Sequence, residues 1–306
     1  MRKNRTEIRK RIRRRITVCL AAILLLLSPT TAVRTSAMDL PKTAAAETQA
    51  AQYVTVPVYI DGVRCPTDAY MIQNGVTYLP LRTIAMQMLD NPEIDWDSTS
   101  RQAVVRTDTL TLTVKPGDCY ITANERYLAL SSLYPAENTL VDGVTYVPLR
   151  TAVRAMGGEI SWNHAARAVE ITRGTGTIEH GSSYYKEDEV YWLSRIIYAE
   201  SGAEPLRGQL AVGSVVMNRA ASKQFPDTIY AVIFDRKNGV QFSPTANGTV
   251  YCTPDEEAII AAKICLEGYS LSHEILYFLN AALSTNFWVP QNRPYVMTIS
   301  GHDFYS

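Results

Sequence analysis

The amino-acid sequence predicts an α+β protein with two folded domains behind an export leader. Residues 53–172 contain short apolar runs typical of strands, together with an internal repeat. Residues 188–306 instead carry apolar positions at helical spacing. The stretch between them, 173–187, is rich in Gly, Ser and Thr, which predicts a linker.

Residues 1–37 have the pattern of a signal peptide. Nine Lys and Arg in residues 2–15 precede an apolar run at residues 16–27. That run is shorter than the roughly 20 residues that a membrane span needs. We therefore expect a secreted or cell wall-associated protein, with membrane contact only if the leader stays uncleaved. Residues 38–52 are rich in Ala, Thr and Gln and predict a flexible lead-in.

The formal neutrality of the chain comes from this leader. Without residues 1–37 the sequence has 20 Lys and Arg against 29 Asp and Glu. A chain this acidic argues against nucleic acid as a partner, because phosphate contacts need basic residues. It also predicts that any binding to an anionic wall polymer uses local contacts rather than bulk attraction.

The strand-rich domain is built from two copies of one unit. NGVTYLPLRT at residues 74–83 returns as DGVTYVPLRT at residues 142–151. Asn-Gly and Asp-Gly favour hairpin turns, so each copy is predicted to be a hairpin, a helix, a turn at Trp96-Asp97 or Trp162-Asn163, and a further strand. The offset of 68 residues is too long for a solenoid repeat.

The repeated GVTYxPLR motif, with its downstream Trp, resembles the stalk-like domain named after the N-terminal region of copper amine oxidases. The resemblance implies a spacer or wall-associated module and no catalytic residues. It does not imply copper here, because His164 is the only histidine of this region and lies in a predicted turn. No metal and no other cofactor is expected for the chain.

The C-terminal domain is predicted to contain four helices and a few strands. The helices are expected at about 188–200, from Pro205 to Asn218, after Pro226-Asp227, and from Pro254 to Glu267 with Thr253 as the cap. Gly208, Ala211, Gly213 and Ser214 would let the second helix pack closely. Strands are expected at 274–280 and 295–300. Of the cysteines, Cys65–Cys119 is a possible disulfide, whereas Cys252 and Cys265 lie too far apart along one helix.

Glu200 occupies the end of an apolar helical stripe. Leu193, Ile196 and Ile197 precede it by seven, four and three residues, so its carboxylate lies on the apolar face. Desolvation there raises a carboxyl pKa, and the negative end of the helix dipole acts in the same direction. Spacing alone leaves two interpretations open. Either Glu200 is desolvated on the apolar face and is a general acid, or it is a helix-end Glu whose side chain turns into solvent.

Packed helices around one buried Glu indicate a lysozyme-like, or transglycosylase-like, α+β fold. The motifs YAESGAEPLRGQLAVGSVVMNR at 198–219, FPDTIYAVI at 225–233, VQFSP at 240–244 and GHDFY at 301–305 resemble the cell wall hydrolase family typified by the spore cortex-lytic enzyme SleB. The resemblance implies cleavage of peptidoglycan glycan strands, mostly as a lytic transglycosylase. It carries the acid of the family's A-E-x-x-x-E segment onto Glu200 and its second Glu onto Glu204.

The expected reaction is cleavage of the MurNAc-GlcNAc β-1,4 bond. A lytic transglycosylase needs one Glu as acid and then base, because the C6 hydroxyl of the substrate attacks C1. A muramidase-type hydrolase of the same bond would add a second carboxylate, for which Glu204 is the candidate. Glu204 also precedes a helix start, where capping the helix or complementing its dipole is the alternative role.

Further substrate-binding candidates are Gln241, Phe242, Ser243, Asn280 and Trp288, each with an alternative as a core or loop residue. His302 has both a site and a structural interpretation. A zinc amidase is disfavoured, because this domain offers only His273 and His302 as histidine ligands.

The sequence also leaves open two functions of a different kind. One is that of a cysteine peptidase, with Cys252 as the nucleophile and His273 as its partner. The second is that of a non-catalytic wall-binding or scaffold protein. Protein partners are not predicted from the sequence.

Overall fold

The computed structural model describes residues 54–71, 75–131, 136–282, 284 and 288–306. The predicted signal peptide (1–37) and lead-in (38–52) lie outside these ranges. No helix within them is long and apolar enough to cross a membrane. The predicted α+β class, with a strand-rich domain before a helical one, is confirmed.

The strand-rich domain folds into three sheets and two short helices. Their strand orders are β1-β4-β5-β12-β11, β10-β9-β8-β7-β6 and β13-β14-β2-β3. The helices are α1 (Leu81–Met88) and α2 (Leu149–Ala155). The strands are β1 Val54–Val56, β2 Val58–Ile60, β3 Val63–Arg64, β4 Ala69–Met71, β5 Thr77–Pro80, β6 Glu93–Asp97, β7 Gln102–Arg106, β8 Thr111–Val114, β9 Tyr120–Ala123, β10 Arg126–Ala129, β11 Thr139–Val141, β12 Val144–Pro148, β13 Glu159–Asn163 and β14 Ala168–Thr172.

The two sequence repeats form equivalent units that share one core. In each copy a strand leads directly into a helix, β5 into α1 and β12 into α2, and the two strands pair antiparallel with Val147 opposite Leu79. The turn before β12 has positive φ at Asp142 (49°) and Gly143 (76°), as the Asp-Gly pair predicts. The predicted turns at the two Trp positions are wrong by a few residues, because both tryptophans lie within strands β6 and β13.

The segment predicted as a linker, 173–187, has ordered contacts with the strand-rich domain. The Gly181 N–H donates to the Asn124 carbonyl at 2.7 Å, and the Thr177 hydroxyl donates to the Thr109 carbonyl at 2.7 Å. The short helix α3 (Gly181–Tyr184) begins after His180, whose ring accepts from the Ser182 N–H. These contacts hold the segment against the strands.

The C-terminal domain packs helices against a three-stranded sheet of order β15-β17-β16. Its long helices, α4 and α5, match the first two predicted helices to within a few residues. The elements are α4 Glu187–Ser201, α5 Leu206–Ala221, α6 Ile229–Ile233, α7 Pro244–Asn247, a 3₁₀ turn Thr249–Tyr251, α8 Glu256–Leu266, α9 Trp288–Asn292, β15 Tyr277–Leu279, β16 Tyr295–Ile299 and β17 His302–Tyr305.

Two sequence predictions for this domain need correction. The cap of α8 is Asp255 rather than Thr253, because the Asp255 carboxylate accepts from the Ala258 N–H at 2.8 Å. The disulfide considered for Cys65 and Cys119 does not form, and all four described cysteines are free.

Close packing of α5 depends on Gly213. A Cβ atom at this position would lie 2.6 Å from Cys265 Sγ of α8 and 2.9 Å from Ile197 Cδ1 of α4. Three helices therefore meet at a point where only hydrogen fits, which confirms the close packing predicted for Gly213. This contact fixes α4, and with it Glu200, against the rest of the domain.

The two domains pack against each other through a buried ion pair. Arg126 of β10 donates through Nε and Nη2 to the two carboxylate oxygens of Glu267, at 2.8 and 2.7 Å. The Tyr185 hydroxyl donates to the same carboxylate at 2.9 Å and accepts from the Tyr127 N–H at 3.0 Å. Tyr127 also packs against the apolar core of the C-terminal domain. The described residues of both domains accordingly belong to one compact unit.

Candidate active site

Glu200 lies in the last turn of α4, on the face that the apolar stripe predicts. Leu193, Ile196 and Ile197 are fully buried, whereas Glu200 is half-buried and borders a cleft. Burial raises the pKa of Glu200 to about 7, and the positive charge of Arg219 acts against that rise. A carboxyl group with this pKa is about half protonated at neutral pH, which is the state that a general acid needs.

The cleft at the end of α4 has a volume of about 1070 Å³. It is open along one side and large enough for several linked sugar rings. Of the residues predicted for a site it contains Glu200, Glu204, Gln241, Ser243 and Asn280. Segments from across the domain thus converge on one cavity.

Two of the predicted binding residues do not line this cleft. Phe242 is only 1% exposed and packs its ring 6.2 Å from that of Phe278. Trp288 is half-exposed on α9, with the Arg293 guanidinium 5.5 Å from its ring centre. Phe242 therefore supports the wall of the cleft from behind, and Trp288 is a surface residue.

Glu204 lies between α4 and α5 and faces the C-terminal strand. Its Oε1 is 3.8 Å from Nδ1 of His302, and its side chain is 21% exposed. A Cβ on Gly301 would come within 3.0 Å of the same Oε1. Its side chain does not cap α5, whose cap is Pro205. The Gln209 side chain instead holds the Glu204 carbonyl, donating to it at 3.1 Å.

His302 is buried beside Glu204 and is the only described histidine at the cleft. Burial lowers its pKa, while the charges of Glu204 and Asp303 act in the opposite direction. A neutral imidazole can both donate and accept a hydrogen bond. Glu204 and His302 thus form a polar pair on the wall of the cleft.

Arg219 borders the cleft and was missed as a site residue from the sequence. It is 4% exposed, its Nε donates to the Leu276 carbonyl at 2.7 Å, and its guanidinium lies 4.9 to 5.3 Å from three aromatic ring centres. Its Nη1 has no hydrogen-bond partner within the described structure. Burial lowers the pKa of Arg219 to about 10, so it stays charged at neutral pH. An arginine in a helix of mostly buried residues is the signal that could have identified it.

The residues that a thiol or a metal mechanism would need are not assembled. Cys252 lines the cleft, whereas His273 is exposed and lies elsewhere. Across the described ranges no three His, Cys, Asp or Glu side chains group closely enough to hold a metal ion. The arrangement at the end of α4 combines one desolvated carboxyl group, one buried cation and a neutral histidine.

Comparison with known proteins matches both domains. Residues 203–305 match the family model described as Cell Wall Hydrolase, and residues 59–171 and 131–186 match the Copper amine oxidase N-terminal domain. The two resemblances predicted from the sequence motifs are confirmed.

Curated relatives resemble the C-terminal half of the chain. A spore cortex-lytic enzyme of Bacillus cereus is 33% identical over 120 residues, which is 39% of this chain and 45% of the relative. One from Oceanobacillus iheyensis is 32% identical over 135 residues, 44% of this chain and 47% of the relative. The chain thus spans less than half the length of these relatives.

A solved structure covers the same region. The catalytic domain of the germination-specific lytic transglycosylase SleB from Bacillus anthracis is 32% identical, with a TM-score of 0.37. The match covers 42% of this chain and 100% of that one.

Proposed function

We propose that this chain, whose C-terminal domain matches the cell wall hydrolase family, is an exported enzyme that cleaves peptidoglycan glycan strands at the MurNAc-GlcNAc β-1,4 bond. The observation that carries the proposal is Glu200, a carboxyl group with a pKa of about 7 at the edge of a cleft of glycan size. The similarity to spore cortex-lytic enzymes supports peptidoglycan as the substrate.

In the first step Glu200 is the general acid. Its carboxyl proton passes to the glycosidic oxygen, the C1–O bond breaks, and positive oxocarbenium character develops at C1 of the muramyl sugar. Glu200 is then a carboxylate, with the positive charge of Arg219 favouring that form. The two residues thus support the two protonation states that the reaction requires.

In the second step the same carboxylate is the general base. It takes the proton of the C6 hydroxyl of the muramyl sugar while that oxygen attacks C1, which closes a 1,6-anhydro ring and restores the protonated Glu200. One carboxyl group is sufficient for this sequence. Glu204, held beside His302, has the role of shaping the cleft rather than of a nucleophile.

The muramidase alternative keeps the first step and changes the second. There a carboxylate activates water, and the product ends in a reducing sugar. Glu204 is the candidate for that carboxylate, since it lines the same cleft. The location proposed for either activity is outside the membrane, at the cell wall, on the basis of the basic and apolar leader.

Mass spectrometry of the products released from purified peptidoglycan tests the proposal. Anhydro-muropeptides are the expected result. Reducing ends would establish the hydrolase, and freed peptides would overturn glycan cleavage. Absence of any release, together with retained binding to the polymer, would favour the non-catalytic scaffold.

A further inference from the structure

A second cavity lies away from Glu200, on the second repeat of the strand-rich domain. Its volume is about 620 Å³, within the usual range for ligand sites. It is bordered by α2, by the end of β10, by β13 and by residues 267–269 of the C-terminal domain, and on one side by β4 and the start of β5 of the first repeat. Its notable feature is a pair of arginines on α2, Arg150 and Arg154.

Both arginines project from one side of the helix. They are four residues apart, so they lie one turn, about 6 Å, from each other along the axis. Both are exposed, and within the described structure neither forms a hydrogen bond or an ion pair. The one acid of the cavity, Glu267, is already bound by Arg126 and by the Tyr185 hydroxyl. The cavity therefore has two unneutralised positive charges.

The first repeat shows that these charges are not required by the fold. Arg82 is the counterpart of Arg150, and its Nη2 donates to the Ile94 carbonyl at 3.2 Å. The equivalent residue in the second repeat, Ile160, borders the cavity, yet within the described structure Arg150 donates no hydrogen bond to its carbonyl. The arginine at this position thus donates a structural hydrogen bond in the first copy, as Arg82, and none in the second, as Arg150.

A second position on the same helix differs in charge. Arg154 replaces Met86 of the first repeat, so the second copy has gained one cation at the cavity. The ion pair of Asp95 with Arg106 in the first copy is replaced by the neutral residues Ser161 and Thr172, which changes no net charge. Trp162, half-buried, and Tyr269 add aromatic surface to the wall of the cavity.

We propose that this cavity binds a carboxylate-bearing stem peptide of peptidoglycan, and that it anchors the enzyme on the polymer that its other domain cuts. The proposal rests on the function proposed above. Guanidinium groups pair with carboxylates through two parallel hydrogen bonds, and aromatic walls contact the rest of the peptide. Because the chain without its leader is acidic, a local cationic cavity supplies the attraction that its net charge does not.

The test measures co-sedimentation of the full chain with purified peptidoglycan at about 0.15 M salt, near physiological ionic strength. All proteins carry Glu200→Gln so that the polymer stays intact. The test variant is Arg150→Gln with Arg154→Met, the latter restoring the residue of the first repeat. The control is Arg101→Asn with Lys115→Met, which removes two exposed charges of the same domain. Asn tolerates the positive φ of position 101.

The expected result is a loss of affinity of about tenfold or more for the test variant and less than twofold for the control, since two charge-assisted contacts are removed. Stripping other anionic polymers with acid should leave binding unchanged. Enzymatic removal of the stem peptides should lower the affinity of the parent chain to that of the test variant, since the cleft at Glu200 still contacts the glycan. Unchanged binding by the test variant would overturn the proposal. So would binding that disappears with the acid-stripped polymers, or an equal difference between parent and test variant on bare glycan. Product release by the wild-type chain tests the catalytic function separately.

Discussion

The two domains differ in what they bury. In the strand-rich domain the buried polar residues within the described ranges are Asn138 and Thr151. The C-terminal domain buries eight: Ser194, Ser201, Gln209, Ser214, Asn218, Arg219, Ser270 and His302. Burying polar groups costs stability unless they are paired. Of these eight, Ser201, Arg219 and His302 line the cleft, so part of the buried polarity of the second domain lies at its candidate site.

Unpaired groups follow the same division. In the described part of the C-terminal domain four side chains have a buried atom without a hydrogen-bond partner, those of Arg195, Gln209, Arg219 and Arg293, and of these Arg219 borders the cleft. The strand-rich domain has one such atom, Oδ1 of Asn138, whose amide nitrogen is paired with two backbone carbonyls. Among these described atoms, that of Arg219 is the one that a ligand in the cleft can reach. Substitutions in both domains test this difference between them.

The largest effect is expected from Glu200→Gln, which removes the carboxyl group proposed as the general acid while keeping the shape of the side chain. We expect a loss of cleavage of about 10³-fold or more, because general-acid catalysis contributes on the order of 10² to 10⁴. The rate of product release from peptidoglycan measures it. The matched control is Glu187→Gln in the exposed first turn of the same helix, with less than twofold change. A loss below tenfold for Glu200→Gln would contradict its role.

Breaking the contact between the domains should give the next largest effect. In Arg126→Ala the Glu267 carboxylate, 3% exposed, keeps only the Tyr185 hydroxyl of its present partners. Removing one partner of a buried pair costs about 3 to 5 kcal/mol, measurable by denaturant unfolding. Arg64→Ala breaks the exposed pair with Asp68 and should cost less than about 1 kcal/mol. Equal costs for both variants would mean that the interface contributes nothing.

Helix packing behind the cleft gives a third comparison. An Ala in place of a helical Gly is usually stabilising by about 1 kcal/mol. At Gly213 we expect the opposite, a loss of about 1 to 3 kcal/mol, because the added methyl group meets Cys265 and Ile197. The unfolding free energy of Gly213→Ala measures this. Adding Cys265→Ala should restore part of the loss, and an unchanged loss in the double variant would contradict the proposed clash.

The raised pKa of Glu200 links stability to pH. The folded state binds a proton up to a pH of about 7, whereas the unfolded state releases it near 4.5. The contribution of Glu200 to stability therefore falls as pH rises through this window. Glu200→Gln should gain roughly 1 to 3 kcal/mol over the wild type at pH 8 and almost nothing at pH 4.5. Thermal unfolding at both values measures the difference, and a gain independent of pH would contradict it.

The parts that could be predicted from the sequence are those that depend on local spacing. The apolar stripe of Leu193, Ile196 and Ile197 placed Glu200 on the correct face, because helical periodicity alone decides which residues share a face. The internal repeat could also be predicted, because each copy contains its own residues that favour a turn and a helix. The cap of α8 was misplaced by two residues because Thr253 and Asp255 are both good capping residues.

The rest depends on contacts between distant segments. Nothing near Arg126 in the sequence indicates that it binds Glu267, which lies 141 residues away. Phe242 was expected to bind substrate together with Gln241 and Ser243 because all three follow a Gly-containing loop, but its ring turns inward while its two neighbours line the cleft. Arg219 was missed because its partners come from three other segments. Local patterns thus select Glu200 as the candidate acid, whereas the residues that surround it are known only from the fold.

The smallest effect is expected from Glu204→Gln, which distinguishes the roles of the two glutamates that line the cleft, Glu200 and Glu204. Glu204 faces His302 at 3.8 Å, so the amide can keep that contact. With Glu200 as the only carboxylate in the chemistry, we expect less than tenfold loss of rate, about 1 kcal/mol, and products that still carry the anhydro ring. The matched change is His302→Asn, which should lower the rate by a similar factor, since either residue keeps the pair in place. A loss near that of Glu200→Gln, with reducing ends in the wild-type products, would make Glu204 the second catalytic carboxylate of a hydrolase.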